Sequence, residues 1–408
     1  MPFNIALSGL NAATVDLEVT GNNIANSATN GFKESRAEFA DLYGRSVQDV
    51  GTGAGQGARV ASVAQQFHQG SVDFTSNNLD LAVSGQGFFV LKDAEGAVSY
   101  TRAGAFRADR DGKVVNHDGQ KLQVYPAVTS GTTTVYSTGV LSELTLPSAP
   151  NAPSATTEVD AALNLDSSTS AITAAFDSTD PATYTSSTST TVYDSLGNAH
   201  TGTMYFQKTA ANTWRGYLYV GGSVVQQGGN DYFSLAFSNA GALTTTMPIT
   251  MDTEALTNGA ADLDIDLDFT GTTQYGTNFA VNNLAQDGYA SGRLSGVDID
   301  TEGVVFARYT NGQSSSLGKV AMAKFANNQG LRPLGDTNFS ETYASGAAQL
   351  GEAATSSFGQ IKSGALEASN VDIAEQLVKL ITAQRNFQAN AEVISTADTL
   401  TQTIINIR

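Results

Sequence analysis

Cysteine is absent from this chain of 408 residues, which excludes disulfide bonds, thiolate nucleophiles and cysteine metal sites. Charged residues are scarce at 15% of the chain, against about 25% in ordinary globular proteins. Basic residues are the scarcer sign, since 21 Lys and Arg stand against 39 Asp and Glu for a net charge of -18. Phosphate binding needs clustered cations, and the sequence contains no basic cluster, so neither nucleic acid nor an anionic membrane is expected as a partner.

Long hydrophobic runs are also missing. The most apolar run, Leu79 to Leu91, is interrupted at residues 84–87 and is shorter than the ~20 residues that span a bilayer. It predicts a buried strand and no membrane insertion. A cleaved secretory signal is not expected either, because the first basic residue is Lys33, and Asp16 and Glu18 interrupt the candidate apolar segment.

Both ends of the chain carry apolar residues at heptad spacing, which predicts helices whose apolar seams face other helices. The expected helices cover residues 4 to about 28 and 371 to 405, and the second would be ~50 Å long at 1.5 Å per residue. Asp372 and Glu375 have the spacing of a capping box at its start. The side chains expected to form an assembly interface are Phe3, Leu7, Leu10, Leu17, Ile24, Leu377, Leu380, Phe387, Ile394 and Ile405.

The middle of the chain differs from both ends. It is rich in Gly, Thr, Ser and Asn and shows short apolar alternations that predict β-strands, with hairpin turns at Asp111-Gly112 and Asp118-Gly119. Residues 32–66 contain Gly51, Gly53, Gly55 and Gly57 and are expected to form an extended or loosely ordered connector, in which this glycine segment is either a hinge or an ordered interface. Residues 167–190, rich in Ser and Thr, fit a disordered stalk, but downstream aromatic alternation favours a second β-domain.

The predicted fold is therefore multidomain. Its parts are an α-helical, coiled-coil-like terminal domain formed by both chain ends and two mainly-β domains, the second inserted in the first. The expected bounds are 1–30 with 370–408 for the helical assembly domain, 31–70 with 355–369 for a connector, 71–145 with 285–354 for the inner β-domain and 146–284 for the outer inserted β-domain.

Motifs for catalysis or cofactors are weak. The glycines of 51–57 lack the strand and helix of a dinucleotide site, and Gly312 to Lys319 lacks the glycine spacing and hydroxyl of a Walker loop. The three histidines form no recognisable acid-base set in the sequence. We predict no enzyme, no cofactor and no catalytic residue.

One alternative stays open, namely that a group of carboxylates binds a hard cation such as calcium. The carboxylates of four alternating residues would share one strand face and repel one another, an arrangement that either is simply solvated or binds calcium weakly. These residues are Asp262, Asp264, Asp266 and Asp268.

Signatures at both ends resemble those of bacterial flagellar rod and hook proteins. The N-terminal match runs through Ala6-Leu-Ser-Gly-Leu-Asn-Ala-Ala13, Val19-Thr-Gly-Asn-Asn-Ile-Ala-Asn26 and Asn30-Gly-Phe-Lys33. The C-terminal match runs through Gly364-Ala-Leu-Glu-Ala-Ser-Asn-Val-Asp372, Leu380-Ile-Thr-Ala-Gln-Arg-Asn-Phe-Gln-Ala-Asn390 and Ile394-Ser-Thr-Ala-Asp398. The signature positions singled out are Asn22, Asn23, Asn26, Gly31, Phe32, Asn370 and Asp372.

The resemblance implies a structural subunit. Residues 193–200 and 212–214 are similar to the hook type of the family, which carries an inserted β-domain, and favour it over the distal-rod type. A protein of the hook type would form an extracellular, curved, bendable homopolymer that encloses an export channel and transmits torque. Implied partners are further copies of itself, the distal rod, the hook cap, the hook-filament junction proteins and the flagellar type III export apparatus. The alternatives are a distal-rod subunit of the basal body and a secreted β-rich adhesin with coiled-coil ends.

Overall fold

The computed structural model describes residues 2–42, 55–130, 133–355 and 357–406. Helix α1 is Pro2–Ala25 and helix α2 is Ile373–Asn406, within three residues of the bounds expected at each end. Strands occupy the described chain between them. The prediction of two terminal helices around a β-rich body is confirmed.

The described strands are numbered in chain order. Those before residue 150 are β1 Ser35–Asp41, β2 Ala58–Gln65, β3 Val72–Phe74, β4 Leu81–Ser84, β5 Phe88–Lys92, β6 Val98–Thr101, β7 Arg107–Ala108, β8 Val114–Val115, β9 Lys121–Ser130, β10 Thr133–Tyr136 and β11 Ser142–Glu143. The next are β12 Glu158–Asn164, β13 Ser186–Tyr193, β14 Ala199–Ala210, β15 Thr213–Val220, β16 Ser223–Val225, β17 Phe233–Ala236, β18 Ile249–Thr250, β19 Asp266–Asp268 and β20 Ala280–Gln286. The last are β21 Leu294–Ile299, β22 Val304–Tyr309, β23 Ser314–Lys324, β24 Arg332–Gly335, β25 Asn338–Ser340, β26 Gln349–Glu352, β27 Gln360–Ser363 and β28 Ala365–Glu367.

The chain divides into two compact units. The first comprises Met1–Ser148, Gly296–Arg308 and Ser314–Arg408, and the second comprises Ala149–Ser295 with Tyr309–Gln313. Short 3-10 helices at Pro181–Thr183 and Asn328–Gly330 interrupt the strand pattern.

The first unit contains a sheet whose central strands run in the order β23, β9, β5, β6, β25 and β24, each antiparallel to its neighbour. Strand β5 lies inside it and is apolar on both faces: Phe89 and Leu91 enter one core cluster, and Phe88 and Val90 enter another. A strand buried on both sides reads as a continuous apolar run. This explains the run at residues 88–91 that predicted a buried strand.

The segment expected to be an extended or loosely ordered connector contains two extended strands. Strands β1 and β2 pair antiparallel, from Ser35 opposite Gln65 to Asp41 opposite Ala58, with a bulge at Glu38 and Phe39. Both strands also pack against α1, and this tertiary contact compensates for their weak apolar alternation. Gly51 and Gly53 lie outside the described residues.

The second unit has one core between two sheets. One sheet has the order β13, β14, β15 and β16, with β17 also on β15, and the other has the order β18, β19, β12 and β20. Side chains from both sheets, including Phe206, Trp214, Leu163 and Phe269, fill the core. Strand β13 supports the second β-domain over the disordered stalk for residues 186–190.

Two local predictions have mixed outcomes. The turns at Gly112 and Gly119 have φ of 79° and 80° and connect β7 to β8 and β8 to β9, as expected.

Apolar and acidic side chains alternate in burial from residue 262 to 269, but only Asp266–Asp268 form strand β19. The expected four-carboxylate strand face is therefore incomplete.

Candidate assembly interface

Helices α1 and α2 lie side by side and antiparallel. Asn23 near the end of α1 donates from Nδ2 to Oε1 of Gln376 near the start of α2, at 3.1 Å. Near the start of α1, a Cβ on Gly9 would come within 2.5 Å of Oδ1 of Asn390. Glycine at this position therefore permits the close approach of the two helices.

The seam between the two helices of one chain is made of small and polar residues. Ala6, Ala13 and Thr20 are buried on α1 and recur every seven residues, while Gln376 and Ala383 are buried on α2 with the same spacing. Small side chains reduce the distance between packed helix axes. The two helices therefore pack through a heptad repeat of small and polar residues. The heptad repeat of large apolar residues that the sequence showed lies beside this seam.

The predicted assembly residues are incompletely covered in the single chain. Phe3, Leu7 and Leu377 are 50%, 42% and 47% exposed. Half-buried side chains make up the rest of the set: Leu10, Leu17, Ile24, Leu380, Phe387 and Ile394. The side chain of Ile405 lies outside the described residues. Because Phe3, Leu7 and Leu377 are already about half covered, a partner that covers the rest would stabilise an assembly by roughly half of the 1.5–3 kcal/mol that full burial of each contributes.

The structure adds apolar side chains that the heptad pattern missed. Ile373 and Ile381 are 50% and 48% exposed and flank Leu377 at four-residue spacing, so the three form one stripe, here called the proximal stripe. Further exposed apolar side chains on the two helices are Ile5, Val378, Val393 and Leu400. A four-residue repeat in the sequence was the signal that could have identified the proximal stripe.

A groove lies at the other end of α2. It has a volume of about 1000 Å³, and its walls include Phe3, Ala389, Val393, Ile394 and Leu400. We call this surface the distal groove. Its surface is mostly apolar.

Signature residues at the end of α1 form the turn that leaves the helix. The carbonyl of Asn22 accepts hydrogen bonds from the backbone N–H and from Nδ2 of Asn26, at 3.1 and 3.0 Å. Gly31 has φ of 71°, and a Cβ there would lie 2.5 Å from the backbone nitrogen of Ala103. The N–H of Phe32 closes the turn on the carbonyl of Thr29 at 3.2 Å. These signature residues shape the exit of the chain from α1, and they also line a cavity of about 470 Å³.

Asn23 connects α1 to β1 and α2. Its side chain bonds both backbone groups of Ser35, at 2.8 and 2.9 Å, in addition to Gln376. Glu34 then accepts from Nε2 of Gln376 at 2.8 Å and from Nζ of Lys379 at 2.9 Å. This network attaches the start of α2 to the β1–β2 hairpin.

Asn370 and Asp372 organise the entry to α2. Oδ1 of Asn370 accepts from the N–H of Glu34 at 2.7 Å, and its Nδ2 donates to the carbonyl of Gln66 at 2.7 Å. Asp372 caps the helix by accepting from the N–H groups of Ala374 and Glu375 at 2.8 and 3.2 Å. The carboxylate of Glu375 contacts Lys379 instead, so only the Asp372 half of the expected capping box forms.

A buried charge cluster was not predicted from the sequence. The carboxylate of Glu367 contacts Nζ of Lys33 at 2.5 Å and Nη1 of Arg102 at 3.2 Å, and it accepts from the N–H of Gly70 at 3.1 Å. Burial lowers the pKa of Lys33, while the neighbouring Glu367 raises it. These residues are more than 30 positions apart in the sequence, and no local pattern associates them.

His200 lies beside a buried carboxylate in the second unit. Nε2 of His200 lies 3.0 Å from Oδ2 of Asp194, which also accepts hydrogen bonds from the side chains of Asn198 and Asn258. Burial would raise the pKa of Asp194, but these hydrogen bonds together hold it below its usual value. The Asp194 carboxylate therefore connects the turn between β13 and β14 to the loop that contains Asn258.

Carboxylates of the second unit do approach one another. Ligand atoms of Glu158, Asp160 and Asp268 lie within 4.8 Å of one another, and the charge of Asp160 raises the pKa of Glu158. Asp268 is the one member of the predicted calcium set in this group. Exposed carboxylates commonly cluster without an ion, and the calcium alternative stays an untested prediction.

No helix of the described chain is both long enough and apolar enough to span a membrane.

Family models match four segments of the chain. Residues 3–33 match the flagella basal body rod protein model, and residues 82–162 match the flagellar hook protein FlgE/F/G D1 domain. Residues 164–289 match the flagellar basal body protein FlaE D2 domain, and residues 362–407 match the flagellar basal body rod FlgEFG protein C-terminal model. Together they place the chain in the class of flagellar rod and hook proteins.

Within this class, the chain is most informatively compared with relatives that it matches over their full length. The chain is 38% identical to the flagellar hook protein FlgE of Salmonella typhimurium and 39% identical to that of Escherichia coli, over 100% of both chains in each comparison. It is 34% identical to that of Borreliella burgdorferi over 98% of both chains. The chain belongs to the flagellar hook protein family.

A solved structure resembles the fold. The crystal structure of the Helicobacter pylori flagellar hook protein FlgE2 matches with a TM-score of 0.53 at 15% identity, covering 72% of this chain and 100% of that chain. At this identity the match supports the fold alone.

Proposed function

We propose that this protein is the structural subunit of a flagellar hook, a tubular homopolymer that encloses an export channel and transmits torque from the rod to the filament. The observation that carries the proposal is the pair of terminal helices with uncovered apolar surfaces at both ends of α2. The full-length likeness to hook proteins supports it.

The positions of these surfaces favour an open polymer. The proximal stripe and the distal groove occupy opposite ends of α2 and have different shapes. A contact between the stripe of one copy and the groove of the next is heterologous, because the two partners use different surfaces. Heterologous contacts that do not close into a ring produce helical polymers, as a tube requires.

The helices of many copies would form the inner wall by coiled-coil-like packing. In this proposal residues 1–30 and 370–408 form the assembly domain, 31–70 and 355–369 the connector, 71–145 and 285–354 the inner β-domain, and 146–284 an outer domain inserted in it. Uncharged polar faces on the β-domains would slide past neighbours at little cost per contact, and such sliding allows a tube to bend.

The remaining partners are those implied by membership of the family. The polymer would start on the distal rod, grow under a hook cap and end at the hook-filament junction proteins. Subunits would reach the growing end through the flagellar type III export apparatus, which places the assembled protein outside the cell. A distal-rod subunit or a β-rich adhesin is the rival, and assembly geometry separates all three.

The test is electron microscopy of the full-length protein under polymerising salt. We expect curved hollow tubes from the unchanged chain and none from Leu10→Asp or Ile394→Asp, because each aspartate would carry its charge into an apolar contact. Both variants should keep folded β-domains by circular dichroism. Ala94→Asp, in an exposed turn of the first unit, is the matched control and should assemble normally.

Assemblies of any other shape in the electron micrographs would contradict the proposed hook function. Straight tubes would favour the distal rod, and small discrete oligomers would favour the adhesin. Normal tubes from both helix variants would contradict assembly through the terminal helices.

A further inference from the structure

One of the three histidines of the chain lies between two carboxylates of the first unit. His117 and Asp118 are in the turn between β8 and β9, and Asp336 is in the turn between β24 and β25. Nε2 of His117 lies 3.3 Å from Oδ1 of Asp118 and 3.8 Å from Oδ1 of Asp336. The three potential ligand atoms all lie within 4.8 Å of one another. The fold therefore brings together metal-ligating groups that are far apart in the sequence.

The separations of these atoms resemble those of ligands around one metal ion. Zinc binds imidazole nitrogen and carboxylate oxygen at about 2.0–2.2 Å in a tetrahedral arrangement, which places two such ligands about 3.4 Å apart. The distances of 3.3 and 3.8 Å from the histidine nitrogen to the two oxygens are close to this value. Small movements of exposed side chains would therefore complete the geometry.

Backbone and side-chain hydrogen bonds position the two turns. Oδ1 of Asn116 accepts from the N–H of Asp118 at 3.1 Å, which fixes the first turn. In the second turn the carbonyl of Thr337 accepts from Oγ1 of Thr101 at 3.0 Å. Nδ2 of Asn338 lies 3.5 Å from Oδ2 of Asp118, so the other oxygen of this carboxylate is the one beside the histidine.

The two carboxylates carry charge that the surrounding side chains do not compensate. Within the described chain, Asp118 and Asp336 form ion pairs with His117 and with no Lys or Arg. Carboxylates that share a site repel each other unless a cation lies between them. A protonated imidazole would compensate one negative charge, whereas a divalent cation would compensate both.

The nitrogen ligand decides which divalent cation fits. Calcium and magnesium take oxygen ligands, whereas imidazole suits zinc and other late first-row transition metals. The side chains of His117, Asp118 and Asp336 are 63%, 34% and 66% exposed, so an ion can reach all three and keep a water ligand. We propose that these three residues form a site for a divalent transition-metal ion such as zinc, which would link the two turns.

The test is isothermal titration calorimetry of the dispersed full-length chain with zinc chloride at about pH 7.5, because imidazole binds metals in its neutral form. Loss of a group that only supports a ligand weakens metal binding about 10–100-fold, so loss of a ligand should cost at least about tenfold. We expect one saturable site per chain that is weakened to this extent by His117→Ala and by Asp336→Asn. Asparagine tolerates the left-handed backbone of residue 336, whose φ is 49°, so this variant should keep the turn.

Two control variants separate this site from other surface groups. His68→Ala removes an exposed histidine that forms no ion pair within the described residues, and Asp268→Asn changes the carboxylate group of the second unit. Both should bind zinc like the unchanged chain.

The remaining outcomes decide the proposal. Absent saturable binding, tighter binding of calcium than of zinc, or loss of the site in His68→Ala would overturn it. Binding that His117→Ala abolishes but that Asp118→Asn and Asp336→Asn leave unchanged would show a lone imidazole binding the ion, and would also overturn it. Zinc binding does not depend on polymer formation, so a chain that binds zinc and forms no tubes would support this inference while contradicting the proposed function.

Discussion

At the scale of single residues, Glu367 holds together segments that are distant in the sequence. It is fully buried, and its carboxylate faces Lys33 and Arg102. A buried ion pair contributes little compared with an apolar replacement, but removal of one partner leaves a buried charge uncompensated and costs about 3–5 kcal/mol. We therefore expect Glu367→Gln to destabilise the first unit by about that amount.

The unfolding of the second unit provides an internal control for the stability of the first. Its single tryptophan, Trp214, is buried in the core of the second unit, so tryptophan fluorescence in a urea titration follows that unit. The far-ultraviolet circular dichroism of the terminal helices follows the first unit. We expect Glu367→Gln to move only the second signal and Glu38→Gln, which removes an exposed pair with Arg36, to move neither. A shift of the fluorescence transition, or no shift at all, would contradict this assignment.

At the scale of secondary-structure elements, local chemistry explains what the sequence could predict. The heptads located both helices, Asp372 marked the start of α2, and the Asp-Gly pairs marked two hairpins. The pairing of β1 with β2 could not be predicted because both strands depend on packing against α1, and the residues of the strands do not by themselves show that contact. The helical period places Ala6 and Ala13 on the apolar side of α1, but small residues carry little hydrophobic signal, so the sequence did not distinguish them from the larger apolar residues as the side chains that determine how closely the helices pack.

The buried charge cluster could not be predicted from the sequence for a different reason. Lys33 and Glu367 are both in segments that resemble the family signatures, but a single sequence gives no reason to pair them. Their contact depends on the β3–β28 pairing, in which Val72 lies opposite Glu367. Long-range pairing of this kind is a property of the whole fold, so the charge cluster could be identified only from coordinates.

Helix α2 is longer than its partner, and this has a consequence for its dynamics. The contacts of Gly9 with Asn390 and of Asn23 with Gln376 fix one antiparallel register. In that register Pro2 is level with Ala397, so residues 398–406 extend past α1. A helical segment of this length is marginal in water without packing.

We therefore expect amides of residues 398–406 to exchange hydrogen rapidly in the dispersed chain and slowly in the polymer, where neighbours cover them. Amides of residues 376–390, which pack along α1, should be protected in both states. Hydrogen exchange with mass spectrometry measures both segments in one experiment. Equal protection of residues 398–406 in the two states would show that assembly does not cover the end of α2.

At the scale of the whole molecule, the chain enters and leaves the second unit through neighbouring extended segments. The N–H of Asn151 donates to the carbonyl of Gly292 at 2.7 Å, and Ser154 forms an antiparallel bridge with Tyr289. Antiparallel partners have Cα atoms about 4.5–5.5 Å apart. A two-residue turn can therefore replace residues 152–291 without separating the strands that remain.

We expect the chain shortened in this way, with Asn-Gly joining residues 151 and 292, to keep the core of the first unit and the terminal helices and to form tubes. Because the removed residues belong to the second unit, electron microscopy should show thinner tubes whose curvature differs from that of the complete protein. A version that also carries Ile394→Asp is the matched control and should form none. If the shortened chain stays folded by circular dichroism but never assembles, contacts made by the second unit, and not the helices alone, hold the polymer together.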